Sequence, residues 1–430
     1  MYRKSVLPLA IAAVVAASSA QASFSNFIDD ASVKGKVRAV YMKVDGKEGK
    51  NDAGAATAGA MIDFRSGYIF DTIGFDASFY GIKKLDSAEY YNSKYDYYDS
   101  KNLLDDSGND FSKLGQAYIK GKFGDKDANF SFKAGRARIY TGLISGSGSR
   151  SIPSSWQGID TDFNIHGLNV GIAYVNEVLP RDRAGMKQMV TASGERIDSI
   201  VGAEVNYTFA NGLSLKYMNG FAKDYVKGHQ LIAKHSYKLA DGSKLAVEGN
   251  YRISQENGDL WTGTGGWGGN GFKDQAETYD FNVKYSIGQA YVRAGLGYTK
   301  AENYDDKTGR HYYDFGKYSY GAWNTWTNSG LIEEFYWNGE NVVALGAGYK
   351  FDNGLSIDYK FRHGSGIDLA VGGKASENEH GIDMKYKFKS VKGLSTRVRY
   401  AIYNQSGLEY KTGRQENDEQ QVRVYLDYKF

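Results

Sequence analysis

Basic side chains are the residues of this 430-residue sequence whose types and spacing suggest a binding chemistry. Arg397 and Arg399 stand two residues apart, Arg362 precedes them and Arg423 follows them. Guanidinium groups bind carboxylates through charge and through paired hydrogen bonds, so a row of them favours anionic or zwitterionic partners. The alternative is that each one is a wall charge paired with an acid on a neighbouring strand.

Nucleophilic and metal chemistry have much weaker support. The sequence contains six histidines and no cysteine. None of the histidines belongs to a recognised arrangement with serine or aspartate, and no zinc-binding spacing occurs. The Gly-rich run at 263–269 lacks the Lys-Ser/Thr that follows a phosphate-binding loop. We therefore predict no catalytic residue, no metal site and no cofactor, and a hydrolase is kept only as a remote alternative.

The first residues resemble an export signal. Arg3 and Lys4 precede an apolar run at 6–17, and Ala20 and Ala22 form a cleavage motif of the A-x-A type. We predict a signal peptide at 1–22 and one continuous domain at 23–430. Without the two leading cations, basic and acidic side chains nearly balance, so net charge gives no reason to expect nucleic-acid binding.

Alternation with period two runs from residue 32 to residue 430 and predicts β-strands with two different faces. In the last strand, Val422, Val424 and Leu426 share one face, and Arg423 and Asp427 share the other. We count eighteen such segments. The predicted fold is all-β, a transmembrane antiparallel barrel of about 18 strands.

Two kinds of connection join these strands. Short ones carry Gly, Asn or Asp where turns need positive φ. The long ones are predicted at 86–112, 136–155, 180–197, 255–276, 301–340, 364–379 and 405–418. Short periplasmic turns and long extracellular loops are typical of bacterial outer-membrane barrels, and aromatic pairs near the strand ends would form the interfacial girdle. We therefore expect a location in the outer membrane of a Gram-negative bacterium, with lipid as a partner.

If apolar residues face lipid, the alternate, polar residues face the lumen. Unpaired buried charge is costly, so a lumen lined this way should be a wet channel. We predict a basic row of Arg38, Arg362, Arg397, Arg399 and Arg423 along the lumen, and pore-lining acids at Asp160 and Asp162. The 136–155 connection is predicted to fold into the pore as a constriction, with Arg136, Arg138 and Arg150 supplying charge; the alternative is a surface loop.

Three stretches resemble the OprD family of outer-membrane porins: Ser112–Ala117, Lys133–Arg136 and Pro153–Gly158. The resemblance spans nearly all of the chain after the signal. It implies an eighteen-stranded monomeric barrel, an inward third loop and a basic ladder, which maps onto Arg362, Arg397, Arg399 and Arg423. We allow a monomer or a weak trimer. We also expect Phe430, on the closing strand, to contact the barrel-assembly machinery.

The expected function is passive diffusion of small polar solutes into the periplasm, with carboxylates or amino acids as cargo and no energised partner. A chitooligosaccharide channel is the alternative, because sugars stack on aromatic rings. Two long loops contain the tryptophans that could provide such a platform or could simply seal the loops together: Trp261, Trp267, Trp323, Trp326 and Trp337.

Overall fold

A computed structural model describes residues 26–46, 52–87, 91–92, 97–98, 100–264, 271–311, 314–319, 321, 324–408 and 418–430. The predicted signal peptide, 1–22, lies outside these residues. A helical turn at 26–29 precedes the first strand. Within the described ranges, no helix is both long and apolar enough to cross a membrane.

The described residues form one closed antiparallel sheet of eighteen strands. Its strands, with a separate two-stranded hairpin (β4 and β5), are β1 (Ser32–Gly46), β2 (Ala53–Arg65), β3 (Ile73–Ser87), β4 (Tyr91–Asn92), β5 (Tyr97–Tyr98), β6 (Phe111–Gly124), β7 (Ala128–Ala137), β8 (Ser155–Ile165), β9 (Leu168–Leu179), β10 (Ile200–Thr208), β11 (Ser214–Ala222), β12 (Val226–Lys238), β13 (Lys244–Glu256), β14 (Gln275–Ile287), β15 (Ala290–Ala301), β16 (Asn341–Lys350), β17 (Leu355–Asp368), β18 (Lys374–Lys387), β19 (Leu394–Ser406) and β20 (Glu419–Lys429). Each barrel strand pairs with its neighbours in chain order, and β20 pairs with β1. The predicted barrel of eighteen strands is therefore confirmed.

One predicted long connection is wrong. Residues 364–379 were expected to form a loop, but β17 and β18 extend into this range and leave only 369–373 between them. The Gly-Ser-Gly sequence at 364–366 indicates a loop, whereas in the structure it forms a β-bulge within β17. Gly366 has φ +77°, and the register of β17 against β18 shifts between Ser365 and Ile367. The strand therefore continues towards the loop end of the barrel.

The two faces of the wall differ as the alternation predicts. Large apolar side chains such as Ile62, Phe79, Ile172, Leu296 and Leu345 are exposed on the outside, where lipid would cover them. The interior is not uniformly polar, because connecting loops fold into it and create buried apolar clusters with inward-facing strand residues. These clusters hold the connecting loops inside the barrel.

The closing seam between β1 and β20 depends on a glycine. Gly35 and Phe430 exchange two main-chain hydrogen bonds, of 2.9 and 3.1 Å. A Cβ atom at Gly35 would overlap the Phe430 ring, so the ring lies directly across the backbone of β1. A side chain at this position would push the ring off the seam.

Candidate functional site: the constriction

The connection between β7 and β8 spans residues 138–154 and begins by attaching to the far wall. Its main-chain N–H groups at Gly142 and Leu143 donate to Glu204 Oε2 (3.0 Å) and to the carbonyl of Asn219 (2.8 Å). Gly142 has φ +62°, and a Cβ atom there would overlap the Asn219 carbonyl. Glycine is therefore required for this close approach to β10 and β11.

The second half of the same loop attaches to the opposite wall. Arg38 on β1 donates to the carbonyls of Gly148 and Arg150, both at 2.9 Å. The Tyr425 hydroxyl on β20 donates to the Ser149 carbonyl at 3.1 Å. In the barrel order, β10 and β11 lie half-way round from β20 and β1. The loop therefore reaches across the barrel from one wall to the opposite wall.

Apolar burial also favours this inward course. Ile139, Leu143 and Ile144 are at most 1% exposed and pack in a cluster that includes Trp156 and Val175. Complete burial of such side chains contributes about 1.5–3 kcal/mol each, so the three together favour the inward position by roughly 4.5–9 kcal/mol. A surface loop would lose this contribution.

A second segment also enters the barrel, from the connection at 302–340. We call residues 326–340 the inward segment. Arg362 donates to the carbonyls of Thr327 (2.9 Å) and Trp326 (2.8 Å), and Arg423 donates to the Leu331 carbonyl (2.5 Å). The two arginines lie near the middle of β17 and β20. The inward segment therefore reaches well below the mouth of the barrel.

A buried carboxylate binds the turn of the inward segment through hydrogen bonds. Glu379 accepts three successive main-chain N–H groups, from Leu331, Ile332 and Glu333, at 2.6, 2.8 and 3.2 Å. Arg362 lies 3.9 Å from the same carboxylate. This contact could not be predicted from the sequence, because alternation places Glu379 on the inner face without identifying a partner.

The predicted basic row divides into two groups. Arg362 is only 3% exposed, and its guanidinium is occupied by the inward segment. Arg423 is likewise buried against Leu331. Arg38 binds Asp427 through two hydrogen bonds, of 2.6 and 2.8 Å, in addition to the crossing loop. These three arginines hold loops in place.

Arg397 and Arg399 form the more open group. The Arg397 side chain is 44% exposed and Arg399 is 23% exposed. Both bind Asp383 on β18, with Arg397 Nε 2.7 Å from Oδ1 and Arg399 Nε 3.1 Å from Oδ2. Two guanidinium groups share one carboxylate, so these three side chains together carry one positive charge.

The open pair lies between the two loops that enter the barrel. Arg397 is the register partner of Tyr425, which contacts the crossing loop at Ser149. Arg399 is the register partner of Arg423, which contacts the inward segment at Leu331. We call this region the constriction.

The predicted loop arginines lie in three different places. Arg138 donates to the buried Tyr80 hydroxyl at 2.8 Å, and Arg150 donates to the Lys101 carbonyl at 2.6 Å. Arg136 belongs to β7, and its side chain points away from the lumen, since it lies three residues from the inward-facing Lys133. Its Nη1 donates to the Leu114 carbonyl at 2.6 Å. The loop therefore runs over 138–154 instead of 136–155.

The predicted acids also serve local structure. Asp160 accepts the Thr141 hydroxyl (2.6 Å) and lies 3.3 Å from Lys133 Nζ, so it fixes the start of the crossing loop. Asp162 accepts the Asn169 amide at 2.8 Å. Arg181, which no sequence pattern indicates, donates to Ser149 Oγ at 3.0 Å. The serines that accept from this arginine belong to a serine-rich run in the crossing loop, but the spacing of the run does not predict a contact with a distant arginine.

Aromatic side chains in the long loops are largely covered. Trp261 and Trp337 are buried, and the Arg293 guanidinium lies over the Trp326 ring, 4.4 Å from the ring centroid. Trp267 and Trp323 lie outside the described residues. The tryptophans that are described therefore fit a sealing role better than an open stacking platform.

A serine–histidine contact occurs inside the barrel, although no sequence spacing suggested one. His311 Nε2 lies 2.7 Å from Ser254 Oγ, and His311 Nδ1 lies 2.7 Å from Thr278 Oγ1. All three residues are at most 2% exposed. A substrate could not reach this serine, and Nδ1 faces a hydroxyl where a catalytic triad has a carboxylate.

Comparison with known proteins agrees with this architecture. The family model described as outer membrane porin, OprD family, matches residues 25–430. Porin D of Pseudomonas aeruginosa is 24% identical over 95% of this chain and 93% of its own length. Solved structures show the same fold: OccAB1 of Acinetobacter baumannii (18% identity, 94% and 97% of the two chains, TM-score 0.78) and OpdK of Pseudomonas aeruginosa with vanillate (18%, 94% and 99%, 0.73). The chain therefore belongs to the OprD family of outer-membrane porins and is a protein of the Gram-negative outer membrane.

Proposed function

We propose that this porin is a passive channel selective for small carboxylates, amino acids included, that enter the periplasm down their gradient. The observation that carries the proposal is the open pair Arg397 and Arg399, which shares the single counter-charge of Asp383 beside the crossing loop. A solute carboxylate that passes the constriction can accept paired hydrogen bonds from these groups. OpdK has been solved with vanillate, a carboxylate, which supports this class of cargo.

An amino acid also carries a positive end, which needs an acceptor. Asp358 on β17 is the register partner of Asp383 and lies on the same inner face. Two acids, on β17 and β18, therefore lie beside the arginines of β19, at strand spacings that a small zwitterion can bridge. A neutral sugar would gain little from such a wall, and of the described loop tryptophans two are buried and Trp326 has one face of its ring covered by Arg293.

The test replaces Arg397 and Arg399 with glutamine and measures uptake into liposomes. We expect slower entry of small carboxylates and unchanged entry of neutral sugars of similar size. The difference should shrink in high salt, because screening over about 8–10 Å weakens guidance by charge. Lys34→Gln is the matched control, since Lys34 is an exposed cation near the turn end of β1, away from the constriction.

Two outcomes would contradict the proposal. Unchanged carboxylate entry in the double variant would remove the role of the open pair. Uptake that requires a proton gradient would contradict passive diffusion. If a chitooligosaccharide blocks the current through the wild-type channel but not through Trp326→Ala, the result would favour the sugar channel.

Assembly is a separate part of the proposal. The Phe430 ring lies over the seam at Gly35, on the outer face of the closing strand pair. We infer that this ring contacts the barrel-assembly machinery and that the finished barrel acts as a monomer or a weak trimer without catalytic activity. Deletion of Phe430 should reduce the amount of heat-modifiable protein in the outer membrane.

A further inference from the structure

Two buried carboxyl groups meet at the base of the inward segment. Glu340 precedes β16 and Glu377 lies on β18, and they are 0% and 1% exposed. Glu340 Oε2 accepts the Trp337 N–H at 2.9 Å, and Glu377 Oε2 accepts the Tyr403 hydroxyl. The remaining Oε1 atom of each carboxyl is buried without a donor among the described residues.

A glycine shows that these two groups are adjacent. Gly364 on β17 is the register partner of Glu377. A Cβ atom on Gly364 would overlap Glu340 Oε1, so the Glu340 carboxyl lies directly over the backbone of Gly364, beside Glu377. Two ionised carboxylates in this position would repel each other without water, whereas one shared proton gives both oxygens a hydrogen-bond partner.

The surrounding charges favour a retained proton. The inward segment and its flanking loop, β17, β18 and β20 all bring ionisable groups to this region, and β19 adds the Tyr403 hydroxyl. The cations are Arg310, Arg362 and Arg423; the other acids are Glu333, Glu334, Glu379 and Glu419. Arg310 attracts the pair but also binds Glu333 at 3.1 Å and the Glu334 carbonyl at 2.5 Å. Asp368 and Lys374 pair with each other at 3.0 Å at the loop end. Acids therefore outnumber cations around the pair.

We propose that Glu340 and Glu377 share one proton at neutral pH, and that its loss frees the inward segment and opens the channel at alkaline pH. The inference concerns regulation of the constriction and rests on the proposed channel function. Burial, followed by the nearby Glu377 carboxylate, raises the pKa of Glu340 well above its usual range. Burial also raises the pKa of Glu334 to about 8.

The direction of the pH effect follows from these shifts. A carboxyl whose pKa is higher in the closed state binds its proton more tightly there than in the released state. Anchoring is therefore complete at low pH and is lost as the pH rises through the closed-state pKa. With one proton involved, the ratio of released to closed channels should rise about tenfold per pH unit in that range.

The first experiment records single channels in planar bilayers between pH 7 and pH 10. The wild-type protein should show rising conductance and more open-state noise. Glu377→Gln keeps a hydrogen-bond donor next to Glu340 but has no proton to lose, so it should remain at the closed level throughout. Glu195→Gln, an exposed acid in the connection between β9 and β10, should behave as the wild type does. Lumen lysines titrate alike in all three proteins, so the difference between variants isolates the carboxyl pair.

The second experiment needs no conduction, and it therefore separates this inference from the proposed function. Trypsin is active over pH 7–9, and Arg310 and Lys317 lie in the connection that carries the inward segment. Cleavage there, located by mass spectrometry, should accelerate with pH in the wild type and much less in Glu377→Gln. Gly364→Ala, which displaces Glu340 sterically, should be cleaved rapidly at pH 7.

Three results would overturn the inference. One is a wild-type channel whose conductance and cleavage do not change with pH. Another is an equal pH response in Glu377→Gln. The third is opening at pH 7 on addition of a chelator, which would show that a divalent cation bridges the carboxylates where we place a proton.

Discussion

Replacing Arg38 with methionine distinguishes two roles for the same guanidinium. If Arg38 guides solutes as a member of the basic row, its loss should slow carboxylates alone. In the structure it also donates to the Gly148 and Arg150 carbonyls of the crossing loop. If Arg38 holds the crossing loop in place, its loss should widen the pore for every solute.

The structure gives the size of the effect. Hydrogen bonds to charged groups contribute about 1.5–3 kcal/mol each. Gly148 is exposed and water can replace part of the loss, so we take the lower value and estimate about 3 kcal/mol for the two bonds. Since 1.4 kcal/mol is a factor of ten, the population with a detached loop should rise about a hundredfold. In Arg38→Met, Asp427 still pairs with Lys36 at 3.3 Å, so the carboxylate at the seam retains a positive partner.

Single-channel recording and liposome uptake decide between the roles. We expect Arg38→Met to raise conductance and open-state noise, and to accelerate carboxylates and neutral sugars together. Arg397→Met is the control, because it removes an open cation without releasing a loop, and it should slow carboxylates at nearly constant conductance. Selective loss of carboxylate entry in Arg38→Met, with wild-type conductance, would refute the role of Arg38 in holding the crossing loop.

Three further predictions concern the loops and the seam. Glu379→Gln leaves at least one of its three main-chain donors unpaired and removes the counter-charge of Arg362, so trypsin should cut the connection at 302–340 faster at pH 7 while the barrel stays heat-modifiable. Gly35→Val displaces the Phe430 ring, and with an overpacking cost of about 1–3 kcal/mol it should lower the temperature at which the barrel unfolds on gels. Burial, together with Arg252, holds the pKa of His311 well below 6.5. The neutral ring therefore holds its loop in place above that pH, and protonation weakens this attachment as the pH falls. Channel noise should rise from pH 7 to pH 5 in the wild type and stay constant in His311→Gln.

The strands were predictable because the environment imposes a simple rule on each of them. One face must be apolar for lipid and the other polar for the lumen, so the alternation of apolar and charged residues around Arg423 predicts the last strand, which the structure shows as β20. The rule failed at 364–379, where small residues in a bulge look like a turn. Local composition does not reveal that Ser365 and Ile367 retain partners on β18.

The course of the loops was predictable only in part. Buried Ile139, Leu143 and Ile144 explain why their apolar character pointed to an inward position. The anchors could not be read from the sequence, because Glu204 and Asn219 lie on strands far away in the chain. The period places Arg362 on the inner face, but only the structure shows that carbonyls of the inward segment occupy its donors.

Hydrogen bonding to neutral carbonyls has an electrostatic consequence for the whole constriction. A guanidinium that binds a main-chain carbonyl satisfies its donors but keeps its charge, since the carbonyl contributes only a dipole. Arg423 holds Leu331 in this way and still adds its field to that of Arg397 and Arg399, whose shared partner is one carboxylate. A loop can therefore narrow the lumen without neutralising its wall. Narrowing also excludes water and strengthens the field that a passing anion meets, so the loops and the open pair should act together in selecting carboxylates.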